Sequence, residues 1–175
     1  MKAYTNVNLV TCDSEFHIYR EGLLVVEDER IAYCGPYDEA WLEQCSELVD
    51  YEGAWLMPGL VNCHTHSAMT LLRGIRDDSN LHEWLEDYIW PAESQFTADL
   101  TTEAVQLALA EMLQSGTTTF NDMYNPQGVD IDRIYQTVRQ SGMRCYFSPT
   151  LFSSEAETAE ETLARTRAII EKILS

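Results

Sequence analysis

Two histidines at the end of an apolar stretch are the residues of this chain whose types and spacing point most directly to chemistry. Residues 58–66 read PGLVNCHTH, so one residue separates His64 from His66. Side chains alternate along a β-strand, and a strand here would present both imidazoles on one face together with Asn62. Neutral imidazole binds zinc, iron, copper and nickel. The spacing therefore predicts a pair of metal ligands, although a His-x-His pair at a fraying strand end also arises by chance.

The overall charge of the chain limits its partners. The 175 residues include 29 acidic and 11 basic side chains, and the formal net charge is −18. A surface this acidic repels phosphate backbones, and no cluster of lysines and arginines offsets it locally. We therefore expect a small-molecule substrate, neutral or cationic, and no nucleic-acid polymer. The alternative is that the acidity serves only solubility.

Cysteine usage and hydropathy both indicate a cytoplasmic protein. The five cysteines are an odd number without a Cys-x-x-Cys pair, which argues against a disulfide framework. No apolar run reaches the length of a membrane span, and the N-terminus lacks the basic and apolar regions of a signal peptide. We expect no membrane partner.

The pattern of apolar residues predicts two regions of different architecture. Residues 1–57 read as short strands, among them a hairpin in which the acidic residues 27–29 join strands at 23–26 and 30–34. This all-β region is too small to close its own core. After Pro58, strands alternate with helices, which predicts parallel βαβ units.

The second region contains three such units. Its apolar strands are predicted at 60–63, 117–121 and 143–148. A helix is predicted to open at Asn80, with Glu83 completing a capping-box-like pair, and to kink or end at Pro91. Further helices are predicted over 99–115, over 131–140 and from the Ser154-x-x-Glu157 pair onward. The apolar face of the 99–115 helix is predicted to include Leu100, Ala104, Leu107, Ala108 and Leu113.

Three units are too few for a closed barrel. A complete (β/α)8 barrel needs about 250 residues. A three-stranded parallel sheet would leave a face and two edges poorly covered. The second region is therefore predicted to be the front part of a larger barrel, in a truncated chain.

An ordered set of motifs resembles the amidohydrolase superfamily. The motifs are PGLVNCHTH at 58–66, MTLLRG at 69–74, WL at 84–85, IWPAE at 89–93, EML at 111–113 and GTTTFNDMY at 116–124. Within that superfamily they resemble the branch of the 5-methylthioadenosine/S-adenosylhomocysteine deaminases and related chlorohydrolase-like enzymes. The resemblance covers essentially the whole chain.

The resemblance implies a β-sandwich, built from both chain ends, beside a (β/α)8 TIM-type barrel. Residues 1–57 would form the N-terminal half of the sandwich, and residues 58–175 the first three βα units of the barrel. His64 and His66 would then lie at the C-terminal end of the first barrel strand, the face on which such barrels carry their chemistry. Members of the family commonly form homo-oligomers, so the resemblance leaves a homo-oligomer as one possible assembly.

The activity that the resemblance implies is hydrolytic deamination of an adenosine-type nucleoside at one divalent metal ion, zinc by preference with iron as the alternative. The family takes its remaining ligands from later strands, and two histidines leave zinc one short of its usual three protein ligands. We therefore expect no catalytic residue within this chain and no activity from the chain alone. Two alternatives stay open: an amidohydrolase for another N-heterocycle, of guanine, cytosine or chlorotriazine type, and a non-catalytic fragment.

Glu93 matches the family position that contacts the substrate. A carboxylate suits that role because it can accept hydrogen bonds from two vicinal ribose hydroxyls. The alternative is a solvated glutamate at a helix end. Met69, Trp84 and Trp90 could wall a purine pocket, although such residues more often pack in a core.

Asn121 and Asp122 end the second barrel strand and are candidates to support the histidine ligands by hydrogen bonds. The alternative for both is a hydrogen bond that caps a helix or closes a loop. Cys63 lies beside the ligands in the sequence but on the other strand face, and we expect it to pack against the helical layer.

Overall fold

Residues 1–124, 129–151 and 158–174 are described by a computed structural model of the chain. Strands dominate the first part of the chain and alternate with helices in the second, a mixed α/β architecture. The residues group into two units, Met1–Pro58 and Gly59–Ser175. That these units belong to a sandwich and a barrel stays a prediction. Within the described ranges, no helix is long and apolar enough to cross a membrane.

The first unit is one mixed sheet of five strands with a short helix. Its elements are β1 (Lys2–Val10), β2 (Ile18–Glu27), β3 (Arg30–Pro36), α1 (Glu39–Leu42), β4 (Glu47–Asp50) and β5 (Trp55–Leu56). Strand β2 pairs antiparallel with β1 and β3, whereas β4 and β5 pair parallel with β1. The predicted hairpin across residues 27–29 is confirmed, since Glu27 pairs with Arg30.

A small apolar cluster forms the core of the first unit. Ala3, Leu23 and Val25 are completely buried, and Trp41 and Leu42 of α1 pack against them. Large apolar side chains of the same unit remain exposed: Phe16, Ile18, Ile31, Leu48, Trp55 and Met57. This exposure is expected of a sheet too small to enclose its own core.

The second unit is built on a parallel sheet of three strands in the order in which they occur in the chain. The strands are β6 (Leu60–Thr65), β7 (Thr117–Tyr124) and β8 (Arg144–Pro149). Strand β7 pairs with both neighbours, so β6 and β8 form the two edges of the sheet. The three predicted strand positions are confirmed to within a few residues.

Helices follow each of these strands. They are a 3₁₀ helix (Ser67–Leu72), α2 (Leu81–Glu83), a π-helical turn (Trp84–Ile89), α3 (Trp90–Glu93), α4 (Ala98–Gln114), α5 (Ile131–Ser141) and α6 (Ala159–Leu174). Gly142 ends α5 in the left-handed region at a φ of 74°, which glycine adopts without strain. The capping pair predicted at Ser154 and Glu157 lies outside the described residues. Thr158 and Glu161 form a capping box before α6.

The helix predicted to kink or end at Pro91 continues to Glu93. Asn80 opens it as predicted, since its Oδ1 accepts a hydrogen bond from the N–H of Glu83 at 3.1 Å. The π-helical turn then precedes α3 and places Pro91 in the first turn of that segment. A proline fits there because the first N–H groups of a helical segment have no partner within it. The helix therefore does not end at Pro91, and the π-helical turn is the irregularity that precedes this proline.

The core of the second unit lies where α4 and α5 cover β7. Phe120 of β7 is completely buried and belongs to one cluster with Val105 and Leu109 of α4. Ile134 and Val138 of α5 complete the centre of this cluster. These two positions form the buried face of α5.

The buried face of α4 differs in part from the predicted one. Leu107 and Leu113 are 41% and 46% exposed, whereas Thr101 and Thr102 are buried. Each threonine hydroxyl donates to a carbonyl four residues earlier in the chain. Because these polar atoms are satisfied within the helix, threonine can occupy a core position that hydropathy assigns to leucine.

Candidate metal centre

His64 and His66 lie side by side where β6 ends. His64 belongs to the strand, and His66 caps the 3₁₀ helix that follows. Their ring centroids are 5.0 Å apart, and the ring planes meet at 81°. Two imidazoles bound to one tetrahedral zinc through Zn–N bonds of about 2.0–2.1 Å would have centroids roughly 5 Å apart. The centroid separation matches that of two imidazoles on one ion, and their role as ligands stays a prediction.

The backbone beneath the pair is irregular. The pairing of β6 with β7 shifts between Asn62 and Thr65, so strict alternation of side chains is interrupted there. The Oδ1 atom of Asn62 accepts a hydrogen bond from the N–H of His64 at 3.2 Å. Strict strand alternation therefore does not by itself account for the positions of Asn62, His64 and His66, although the two rings do lie together. His66 lies just beyond the end of the strand, at the cap of the 3₁₀ helix.

Cys63 is exposed, and its predicted packing against the helical layer is wrong. The physical reason is the position of β6 at the edge of the sheet, whereas the core forms around β7. Val61 of the same strand is likewise 62% exposed.

Asn121 ties the three strands together next to the histidine pair. Its amide donates to the carbonyl oxygen of Cys63 on β6 at 3.3 Å. Its Oδ1 accepts from the hydroxyl of Ser148 on β8 at 2.7 Å. Asn121 thereby fixes the residue that directly precedes His64.

Asp122 faces the opposite side of β7, as strand alternation requires. It is completely buried, and Ser67 beside it is 1% exposed. One carboxylate oxygen accepts from the N–H of Ser67 at 2.9 Å, and the other accepts from its hydroxyl at 2.5 Å. Ser67 directly follows His66. Sequence reasoning missed Ser67, whose only signal is its position next to a candidate ligand.

The buried carboxylate also influences a thiol on the neighbouring strand. Burial first, and then the negative charge of Asp122, raise the pKa of Cys145 to about 12. The Cys145 thiol is therefore protonated at neutral pH.

A cleft of about 300 Å³ opens beside His66. Met69 and Trp84 give it apolar walls, and Arg73 and Arg76 add positive charge. Arg73 forms a two-pronged ion pair with Glu111 of α4, at 2.6 and 3.2 Å. This hydrogen bonding lowers the pKa of the Glu111 carboxyl. The volume lies at the lower end of the range for small-molecule sites.

Glu93 lies at the end of α3 and is half-buried. Burial raises the pKa of its carboxyl above the ordinary value. In the part of the chain that the structure describes, Glu93 is not among the residues that line the cleft beside His66. The structure thus gathers His64, His66, Asn121 and Asp122 at one end of the sheet, and Glu93 is not brought into that cleft.

As metal ligands, the two histidines would be fewer than the three protein ligands of a catalytic zinc site. Among the described residues, no group of three or more histidine, cysteine, aspartate and glutamate side chains could hold an ion. The other two histidines lie elsewhere: His17 bonds Asp13 at 2.8 Å in the first unit, and His82 lies in α2.

Comparison with protein families and curated proteins gives consistent matches. The family model described as "Amidohydrolase family" matches residues 55–174. A 5-methylthioadenosine/S-adenosylhomocysteine deaminase of Bacillus cytotoxicus is 50% identical over 151 residues, which cover 86% of this chain and 35% of that protein. The deaminase of the same name from Bacillus cereus is 46% identical over 158 residues, covering 90% and 36%. The chain therefore spans about a third of the length of these relatives.

Solved structures share the fold. An atrazine chlorohydrolase from Arthrobacter aurescens, complexed with zinc, superposes with a TM-score of 0.81 at 19% identity, over 98% of this chain and 43% of that one. A guanine deaminase from C. acetobutylicum with bound guanine superposes with a TM-score of 0.81 at 21% identity, over 98% of this chain and 42% of that one. An adenosine deaminase from Xanthomonas campestris with bound zinc superposes with a TM-score of 0.75 at 30% identity, over 98% of this chain and 39% of that one.

Proposed function

Because the chain belongs to the amidohydrolase family, we propose that it is the front part of a metal-dependent hydrolase that deaminates an adenosine-type nucleoside. The proposed substrates are of the methylthioadenosine and S-adenosylhomocysteine class, after the names of the relatives at 46–50% identity. The observation that carries the proposal is the pair of imidazoles, His64 and His66, with ring centroids 5.0 Å apart.

The proposed architecture has two parts. Residues 1–57 are the N-terminal half of a β-sandwich, and residues 58–175 are the first three βα units of a TIM-type barrel. The parallel order of β6, β7 and β8 supports this assignment, as does the fold likeness to chains of which this one covers about 40%. In such a barrel, the histidines lie at the carboxyl end of the first strand.

The proposed cofactor is one divalent ion, zinc in preference to iron. Two of the structures that resemble this chain were solved with zinc. A bound divalent ion acts as a Lewis acid and makes water nucleophilic at neutral pH. His64 and His66 hold and orient the ion, and both rings must be deprotonated to do so.

The substrate is proposed to bind beside the histidines. Trp84 and Met69 offer apolar surface in the cleft next to His66, and a purine stacked there lies close to the metal ligands. Glu93, which lies outside the lining of that cleft, is assigned to the ribose hydroxyls. Its half-buried carboxyl, whose pKa is raised by burial, is suited to close hydrogen bonding.

The remaining ligands, and with them the groups that transfer protons, are proposed to come from outside these residues. The chain by itself is therefore expected to be inactive, with no catalytic residue of its own. We assign the enzyme to the cytoplasm from its odd number of cysteines without a Cys-x-x-Cys pair. Its net charge of −18 disfavours nucleic acid and favours a small-molecule substrate.

The test is an assay of the complete protein that contains this chain. Release of ammonia and an inosine-type product from methylthioadenosine or S-adenosylhomocysteine is expected, with loss of activity in His64→Ala. Absence of turnover with every adenosine analogue would overturn the substrate class. Turnover of guanine, cytosine or a chlorotriazine instead would select the alternative heterocycle.

A further inference from the structure

We propose that Ser67 and Asp122 are positioning residues that hold the imidazoles of His64 and His66 side by side. Asp122 accepts two hydrogen bonds from the residue that follows His66, at 2.9 Å from the N–H and 2.5 Å from the hydroxyl. The inference rests on the proposed function, since it assigns how the proposed ligands of the metal ion are kept in place.

Strand pairing is irregular before this point and ends at Thr65, which pairs with Asp122. The register between β6 and β7 shifts between Asn62 and Thr65, immediately before His66. The main chain then leaves the strand for a 3₁₀ helix. Because the ladder ends at Thr65, the direction in which the chain leaves the sheet depends on contacts beyond it, and the paired hydrogen bonds from Ser67 to Asp122 supply them.

The chain is also held on the other side of the pair. Asn121 donates to the carbonyl oxygen of Cys63, the residue before His64, at 3.3 Å. Asn121 and Asp122 are consecutive on β7 and face its two sides. One strand thus anchors the backbone both before and after the two histidines.

Burial indicates that Asp122 has a role other than packing. Its carboxylate is completely buried in the face of β7 that also carries Phe120. An ionised group in such a place is unfavourable unless it is fully hydrogen-bonded, and apolar residues of similar volume are often more stabilising. A carboxylate bonded to the residue next to a proposed ligand is explained by the need to position that ligand.

The experiment compares variants of this chain by NMR, with zinc alone as the probe. Without metal, the cross-relaxation signal between the ring protons of His64 and His66 reports their proximity. Titration with zinc, followed on the same ring resonances, gives the dissociation constant. Asp122→Ala is expected to lose the ring–ring signal and to bind zinc about 10- to 100-fold more weakly, the usual effect of removing a group that supports a ligand.

The matched control is Phe120→Leu. Phe120 is completely buried on the same strand but contributes apolar contacts to the α4 and α5 core. This variant is expected to unfold at a lower temperature while retaining the ring–ring signal and zinc affinity. A purely structural role for Asp122 would give both variants the same pattern.

A double variant tests the route of the effect. Ser67→Ala removes the hydroxyl but keeps the N–H donor, so its loss of zinc affinity should be smaller than that of Asp122→Ala. If Asp122 acts through Ser67, the double variant Ser67→Ala/Asp122→Ala binds zinc no more weakly than Asp122→Ala alone. If the fold losses of zinc affinity in the two single variants multiply fully in the double variant, Asp122 does not act through Ser67.

Ser67→Ala and Asp122→Asn keep the test decisive if Asp122→Ala does not fold, because each retains part of the contact. Folded variants with an unchanged ring–ring signal and unchanged zinc affinity would overturn the positioning role and leave the proposed function standing. Loss of the ring–ring signal in variants of a wild-type chain that binds no zinc would support the positioning role, and absence of zinc from the complete protein as well would refute the metal site.

Discussion

At the scale of single residues, burial decides which groups can ionise or react. Cys145 is half-buried near a carboxylate and has a pKa of about 12, whereas Cys63 and Cys12 are exposed. Glu93 has a raised pKa from burial alone, without a compensating charge. Side chains of one type therefore differ in chemistry according to the element that carries them.

Thiol alkylation should separate these cysteines. A thiol reacts as its thiolate, so the raised pKa of Cys145 and its burial both slow the reaction. At mildly alkaline pH, iodoacetamide is expected to modify Cys12 and Cys63 well before Cys145, as read by peptide mass spectrometry. Equal rates at Cys63 and Cys145 in the folded chain would contradict the described environment.

Glu93→Gln is expected to stabilise the fold at neutral pH. Burial raises the pKa of Glu93 in the folded state above its unfolded value, so the ionised carboxylate opposes folding. The sign follows: stability from this group is complete below the unfolded pKa and is lost as pH rises through the folded pKa. The variant should show a modestly higher Tm at pH 7.

The same comparison at low pH serves as the control for Glu93. Below the unfolded pKa the carboxyl is protonated in both states, and the two proteins should then unfold at the same temperature. A difference in Tm that is independent of pH would contradict the assignment to ionisation.

At the scale of elements, hydrogen bonds at helix ends and between helices fix how the second unit is connected. Thr97 opens α4 by accepting from the N–H of Leu100 at 3.2 Å. Arg73, at the end of the 3₁₀ helix, is paired with Glu111 on the same α4. The segment that follows the histidines is thus fastened to the longest helix of the unit.

Loss of the cap of α4 should destabilise the chain measurably. Thr97→Ala removes the side-chain acceptor for the N–H of Leu100 and is expected to cost about 1 kcal/mol of unfolding free energy. Thr97→Ser retains the hydroxyl and should lie much closer to wild type. Urea denaturation of the three proteins measures both effects, and equal losses in the two variants would exclude capping as the cause.

The pair of Arg73 and Glu111 should contribute stability only at higher pH. Its hydrogen bonds lower the pKa of Glu111 in the folded state, so its contribution is present above the unfolded pKa and is lost as pH falls through the folded pKa. Glu111→Gln is therefore expected to lower Tm slightly at pH 7, with the difference fading in acid. Thermal scans across pH, repeated at high salt to screen the pair, check this result.

Periodicity and capping residues were sufficient to predict most elements, because apolar runs bounded by glycine, proline and caps carry local information. They could not predict the role of Ser67, since its burial depends on Asp122, 55 residues away in the sequence. They also assigned Leu107 to a buried face that Thr101 occupies instead. The His64 and His66 pair was predictable from spacing, whereas the irregular pairing of β6 beside it was not.

At the scale of the whole molecule, the second unit leaves both edges of its parallel sheet without a neighbouring strand in the part that the structure describes. Tyr146 on the edge strand β8 is 71% exposed, and Val61 on the edge strand β6 is 62% exposed. The first unit likewise exposes a series of large apolar side chains. Both units thus leave large apolar side chains exposed in the part of the chain that the structure describes.

The isolated chain should bind zinc weakly and show no deaminase activity even at saturating zinc. Two imidazoles provide one ligand fewer than catalytic zinc sites use. Metal analysis after dialysis, together with an ammonia assay on methylthioadenosine, measures both properties. His64→Ala should abolish the residual zinc binding. As the control, His82→Ala, which replaces a histidine in α2, should leave zinc binding unchanged. Turnover by the isolated chain would contradict the incomplete site.

The open edges of β6 and β8 have a consequence for synthesis of the proposed longer polypeptide. Its front part is synthesised first. The backbone donors and acceptors of the two edge strands then remain exposed until the later strands have been synthesised. During that interval, strands of two nascent copies could pair edge to edge. A net charge of −18 makes such copies repel one another. The acidity that disfavours nucleic acid would therefore also reduce aggregation of nascent copies before the fold is complete.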